Sequence, residues 1–209
     1  MSTAAVFDNN KSWANAIKKS NPDFFNNLAK GQDPDFLFIG CADSRVPAAQ
    51  VMGLGPGDVF VHRNVANLVD HTDTNIQAVI EYAVAHLGVR HIVVCGHSGC
   101  GGVKASLTHT DLGVLNPWIR VIKDVYYAHK AELDALEGEA RVARLIELNV
   151  MAQCLNVAKT TSVQAATREG KAPQIHGWVF HLETGLLQDL EVDIASEQQA
   201  MADIFGVTA

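Results

Sequence analysis

Apolar residues along this chain fall into two patterns, short unbroken runs and longer stretches at helical spacing. Phe36-Leu37-Phe38-Ile39 before Gly40, Val59-Phe60-Val61 before His62, and His91-Ile92-Val93-Val94-Cys95 are brief continuous runs, as expected of strands covered on both faces. Before the third run, Asn75 to Leu87 places Ile76, Val79, Ile80, Ala83, Val84 and Leu87 at helical spacing and stops at Gly88. A strand, a helix and a strand, with a crossover this long, predict parallel pairing and an α/β sheet. Upstream, Val6, Trp13, Ile17, Phe24, Phe25 and Leu28 predict a helix or helix pair broken near Asn21-Pro22. Downstream, Asn116 to Leu136 and Glu139 to Arg168 carry helical patterns. Asn116-Pro117 offers the first a cap and a first-turn proline, and Glu147, Asn149 and Gln153 interrupt the apolar surface of the second. Gln174 to Leu182 and Leu186 to Val192, separated by Glu183-Thr184-Gly185, predict a hairpin or two strands at one sheet edge, and 195–204 a closing helix.

Size and charge narrow the possibilities. With 209 residues, no internal repeat and no linker-like tract, one domain with a sizeable core is expected. The formal charge of −7 argues against a broad nucleic-acid surface, which takes its affinity from clustered Lys and Arg. No apolar run reaches membrane-spanning length. Cytosol is the default compartment, because Asp8 and the lack of Arg through Lys19 speak against a mitochondrial presequence. The four cysteines, with no secretory context, read as thiols or metal ligands rather than a disulfide framework.

The chemistry concentrates in Cys41-Ala42-Asp43-Ser44-Arg45 and His97-Ser98-Gly99-Cys100-Gly101-Gly102. Each follows a predicted strand, at the carboxyl edge where open α/β sheets place their sites. Two thiolates, an imidazole and a carboxylate suit Zn2+ better than Mg2+ or Ca2+. His-x-x-Cys alone would fit a loop histidine and a buried thiol equally well. Cys95 and Cys154 have no local ligand partner and read as core thiols.

Several segments together resemble the β-class carbonic anhydrases: Cys-Ala-Asp-Ser-Arg-Val-Pro at 41–47, His-Arg-Asn-Val-Ala-Asn at 62–67, Glu-Tyr-Ala at 81–83, His-Ser-Gly-Cys-Gly-Gly at 97–102 and His-Gly-Trp at 176–178. The resemblance extends from about Gly31 to Leu190. It implies a Rossmann-like central sheet, mainly parallel with an antiparallel edge and flanked by helices. It also implies one Zn2+ per subunit on Cys41, His97 and Cys100, with Asp43 either the fourth ligand of a closed state or turned away onto Arg45. Reversible hydration of CO2 to bicarbonate by zinc-bound hydroxide is the implied reaction. A homodimer or dimer of dimers is the implied assembly, with a helical arm over 1–30 packing on the partner subunit and the site near the subunit interface.

Further expectations follow for individual residues. Asp43 and Arg45 form the catalytic pair, Arg45 holding the carboxylate off the metal so that it can orient the nucleophile. Gln32 resembles a substrate-facing donor, Phe60, Val65 and Tyr82 an apolar pocket lining, and Gly101 and Gly102 leave space and free N–H groups beside the metal. Two thiolates cancel the charge of Zn2+, so the bound water should be less acidic than at an all-histidine site and activity should fall as pH drops. The Trp-Arg-Tyr set of family members with a non-catalytic bicarbonate site is represented by Phe38, Arg63 and Phe180, which lack two of its donors, so bicarbonate-driven inhibition of that kind is not expected. His62, His71, His109, His129, His176 and His181 single out no proton shuttle. Hydrolysis of carbonyl sulfide at the same metal, and a purely structural zinc site closed by Asp43, are the competing readings. A dinucleotide site is disfavoured because no Gly-x-Gly-x-x-Gly follows the first strand.

Overall fold

In the computed structural model residues 2–197 are described, and the chain divides into two units, Met1–Asp33 and Pro34–Ala209. The first is helical. Helix α1 (Thr3–Ser20) is capped by the Ser2 hydroxyl, which accepts from the Ala5 N–H, and Lys18 and Lys19 lie in its last turn, where cations suit the helix dipole. The extended Asn21 ends it, and α2 (Phe24–Leu28) follows. Trp13 meets Phe25 edge to face, their centroids 5.6 Å apart.

In the second unit β1 (Phe36–Cys41), α3 (Ala48–Val51) and β2 (Val59–Asn64) lead into a tight turn over Val65–Asn67. Helix α4 (Thr74–Glu81) then widens into a π turn over Tyr82–Leu87 before β3 (His91–His97). After α5 (Gly101–Ser106) come α6 (Leu115–Ala128), α7 (Lys130–Asp134), α8 (Gly138–Ala158) and α9 (Thr161–Arg168), and the hairpin of β4 (Gln174–His181) and β5 (Leu186–Asp189) completes one sheet. Its order is β2-β1-β3-β4-β5; the first four strands are parallel, and β5 runs antiparallel at the edge. The expected mainly parallel α/β sheet with an antiparallel edge is therefore found.

Strand periodicity divides the core. Leu37, Ile39 and Cys41 of β1, with Ile92 and Val94 of β3, point into the larger cluster with Ile76, Ile80, Ile119, Ile122 and Leu145. Phe38, Val93 and Cys95 point the other way, onto Val46, Ala48 and Phe180. Both faces are covered, which is why these strands read as unbroken apolar runs. Cys95 and Cys154 lie wholly inside, as expected of core thiols, and burial pushes the Cys95 thiol up to about 12.

Several boundaries differ from the sequence expectation. Strand β2 continues past His62 because Arg63 and Asn64 pair through their backbone with Gly40 and Cys41, whatever their side chains. Asn116 does not cap α6. It sits inside the first turn, where its Oδ1 accepts from the Leu112 N–H and its Nδ2 donates to Asp111. Strand β5 stops at Asp189, shortly before Glu191 turns the chain with a φ of 50°. The closing helix expected over 195–204 lies largely outside the described residues. Among the described residues no helix is long and apolar enough to cross a membrane.

Two partly enclosed histidines make the fold acid-sensitive. Burial holds His62 and His176 below the ordinary histidine value, His91 adding to the effect at His176, whose Nε2 lies 3.1 Å from His91 Nδ1. An unfolded histidine takes its proton near 6.5, while these two resist it until lower pH, so the unfolded chain binds more protons in that window. Stability should therefore fall as pH drops through about 6.5. At equal zinc loading, the urea midpoint of H176Q should fall less than that of wild type between about pH 7.5 and pH 5.5; equal losses would remove His176 from the acid response.

Candidate metal centre

Strands β1 and β3 are adjacent and parallel, with Gly40 opposite Cys95, so their carboxyl ends open at one edge of the sheet. Cys41 is the last residue of β1 and His97 the last of β3. Gly99, with a φ of 64°, then turns the chain so that Cys100 comes back at the start of α5. The result is one buried cluster, in which a ligand atom from each of Cys41, His97 and Cys100 lies within 4.8 Å of the others.

The donor atoms are oriented for a cation. His97 Nδ1 donates to the Ser98 carbonyl at 3.0 Å, fixing the tautomer that leaves a lone pair on Nε2. That Nε2 is buried and has no hydrogen-bond partner, a costly arrangement unless something binds there. The Cys41 and Cys100 sulfurs are 4.0 Å apart, close to the roughly 3.8 Å that two ~2.3 Å zinc–sulfur bonds span at a tetrahedral angle. The Cys100 thiol foremost, with the backbone N–H groups of Ala66 and Asp43, holds the Cys41 thiol well below its usual range against the opposing effect of burial. The Cys100 thiol is pushed the other way by the Cys41 sulfur and by burial. A soft, dry set of two sulfurs and one imidazole fits Zn2+.

Asp43 stands at the rim. Its Oδ2 is 3.8 Å from His97 Nε2, but both carboxylate oxygens are held by Arg45. Arg45 Nε donates to Oδ1 at 2.9 Å, Nη2 to Oδ2 at 2.7 Å, and the Arg45 backbone N–H to Oδ1 at 3.0 Å. The guanidinium foremost, and its backbone N–H with it, keep the Asp43 carboxyl far below the usual carboxylate range.

Of the remaining expected residues, Val65 and Gly102 pack together. A Cβ on Gly102 would lie 2.9 Å from Val65 Cγ1 and 3.0 Å from Ala66 Cβ, whereas one on Gly101 meets nothing within 4 Å. The Trp118 indole donates to the Val65 carbonyl at 2.8 Å. Phe60 and Tyr82 stack with centroids 5.7 Å apart, and Tyr82 is exposed. Gln32 belongs to the N-terminal unit and is exposed.

A carbonic anhydrase family model matches residues 36–187, most of the chain and all three ligands. The carbonic anhydrase of Emericella nidulans is 52% identical over 204 residues, covering 97% of this chain and 90% of the relative. The chain belongs to the β-class carbonic anhydrases. The crystal structure of the β-carbonic anhydrase CafA of Aspergillus fumigatus is similar with a TM-score of 0.90 at 39% identity, over 97% of each chain. One of two tetrameric β-carbonic anhydrases of Sordaria macrospora gives 0.86 at 44% identity, over 90% of this chain and 96% of that one.

Two features of this carbonic anhydrase centre escaped the sequence reading. Arg63, considered only as a remnant of a bicarbonate site, donates from Nε to the Cys41 carbonyl at 2.9 Å and from Nη2 to the Asp43 carbonyl at 2.5 Å. It clamps the loop that carries a ligand and the carboxylate, while Phe38 and Phe180 are core residues. Ala66 adopts a φ of 67° without being glycine, a conformation costing roughly 1–2 kcal/mol. Its N–H donates to Cys41 Sγ at 3.4 Å. Alanine gives no sequence signal of such a turn. The close approach of Gly102 to this turn is testable. Gly102→Ala should overpack it, at a cost of about 1–3 kcal/mol, and lower both the thermal midpoint and zinc retention, while Gly101→Ala should keep both. Equal behaviour of the two variants would contradict the packing described.

Proposed function

We propose that this chain is a zinc-dependent carbonate dehydratase, interconverting CO2 and bicarbonate with release or uptake of a proton. The observation that carries this reading is a buried set of three donors whose nearest carboxylate, Asp43, is turned onto Arg45 instead of closing the set. A structural zinc site fills all four positions from protein, while a catalytic one keeps a position open. When bound, zinc supplies the Lewis acidity that makes water a nucleophile near neutral pH.

The chain's own residues supply orientation and a dry surface. Asp43, whose carboxyl Arg45 holds far below the usual carboxylate range, stays ionised throughout the working range, so it accepts a hydrogen bond and orients its donor but does not deliver a proton. Arg45 holds it in that pose. The side-chain-free Gly101, where a Cβ would meet nothing within 4 Å, leaves room for a small uncharged substrate, with Val65, Phe60 and Tyr82 as apolar lining. Metal-quantified protein should carry about one zinc per chain, lose CO2 hydration on chelation and regain it with zinc. Arg45→Ala should lower turnover by about 10- to 100-fold, as expected for loss of an orienting partner. The mutant should stay folded, because the Arg45 side chain removed is 57% exposed and an ion pair with so exposed a partner contributes little to stability. Unchanged turnover in the folded mutant would remove Asp43 and Arg45 from the mechanism.

We further infer that the working unit is a homodimer or a dimer of dimers, with the arm over 1–30 packed on the partner subunit. Helix α1 buries none of its residues, and Val6, Phe7 and Trp13 are exposed; the relatives from Sordaria macrospora are tetramers. Val65 and Tyr82 are exposed in the single chain, which fits a pocket completed by a second copy. Removal of residues 2–30 should convert the oligomer to smaller species in sedimentation and reduce activity; an unchanged assembly would refute the role of the arm.

A further inference from the structure

Helix α8 carries polar side chains where its surroundings are apolar. Asn149 and Gln153 are 1% and 0% exposed, and buried amides of this kind persist only where their hydrogen bonds are made. Their partners lie in the segment after β2. Asn149 Nδ2 donates to the Ala66 carbonyl at 3.1 Å, and Gln153 Oε1 accepts from the Val69 N–H at 2.8 Å. The amides are also linked to one another. Gln153 Nε2 donates to Asn149 Oδ1, and the half-buried Asn156 donates to Gln153 Oε1 and to the Val69 carbonyl, each at 3.1 Å. Gln153 thus fixes which end of the Asn149 amide faces Ala66.

Ala66 and the following Asn67 are both held in the left-handed region, and the Ala66 N–H is the one aimed at Cys41 Sγ. Relaxing the Ala66 φ to negative values would turn its N–H relative to its carbonyl, so the bonds to Cys41 and Asn149 could not both be kept. Asn149 grips the other end of the same residue, so it opposes that relaxation. Gly102 leaves just enough room for the turn on its other side.

We propose that Asn149 is a positioning residue of the metal centre: through Ala66 it keeps a backbone N–H donating to the Cys41 thiolate. The inference rests on the zinc-enzyme reading above, since it concerns the sulfur that would hold the metal. An N–H directed at a ligand sulfur withdraws charge from it and fixes its direction, and such partners outside the ligand set typically govern metal affinity over about 10- to 100-fold.

Asn149→Leu keeps the volume and removes the amide; Asn156→Leu cuts the far end of the network, which touches neither Ala66 nor Asn149. In zinc-loaded protein judged folded by circular dichroism, Asn149→Leu should weaken zinc retention against a chromophoric chelator by about 10- to 100-fold. In cobalt-substituted protein its sulfur-to-cobalt charge-transfer band should move to lower energy. Asn156→Leu should lose stability yet leave both readouts at wild-type values, which a merely structural role would not distinguish. If Asn149→Leu does not fold, the cadmium-substituted wild type decides: a scalar coupling between 113Cd and the Ala66 amide proton is expected, and its absence overturns the proposal. Wild-type zinc affinity and band in folded Asn149→Leu would likewise overturn it. Failure of wild type itself to bind zinc would instead strike the functional reading.

Discussion

Parallel pairing of β1 with β3 is the constraint on which the centre depends. Were the two strands antiparallel, Cys41 and His97 would leave opposite edges of the sheet, several strand residues apart at about 3.3 Å each. Because they run together in the observed register, a sulfur and a ring nitrogen from distant parts of the chain meet without either strand bending. Cys100 then needs only the left-handed Gly99 to return to them. The pairing is in turn forced by burial, since apolar residues alternate to both faces of these strands and a slip by one residue would exchange the two core clusters.

That dependence explains what could be read from the sequence and what could not. The strands were legible because burial on both faces leaves unbroken apolar runs, and the ligands because each follows such a run directly. Arg63 looked like a charge on a strand end; its value comes from two carbonyls whose positions exist only once the Cys41–Asp43 loop is folded. Asn149 and Gln153 showed up as polar interruptions four residues apart on one helix. Their partners Ala66 and Val69 lie more than 80 residues away in sequence, and no local pattern names them. Helix α6 was expected to run on to Leu136, but the backbone breaks at His129, where φ −112° and ψ 25° leave the helical region. Gln32, Phe60 and Tyr82 carry no mark of their surroundings in a single chain.

Charge is balanced locally at the centre. Two thiolates would offset a divalent cation, Arg45 offsets Asp43, and the charge of Arg63 against the Cys41–Asp43 loop is matched in number by that of Glu183, which accepts from the Ser98 hydroxyl at 2.8 Å. CO2, being uncharged, gains little from these charges and needs only an apolar surface. Two of Arg63's donors are already committed to carbonyls, and Arg45 is committed to Asp43.

Stiffness is distributed unevenly, and this bears on where the centre can change state. The three ligands are fixed by strand pairing, by the Ser98 carbonyl and by a buried amide network, all enclosed in the core. Asp43 is fixed chiefly by Arg45, whose side chain is 57% exposed and lies two residues away on the same loop. Exposed pairs exchange easily with water and are screened by salt. Turning the Asp43 carboxylate away from Arg45 would require breaking both their ion pair and the hydrogen bond from the Arg45 backbone N–H. Arg63 grips the Asp43 carbonyl rather than its carboxylate, so the backbone of this residue is held by a contact independent of the one that holds its side chain.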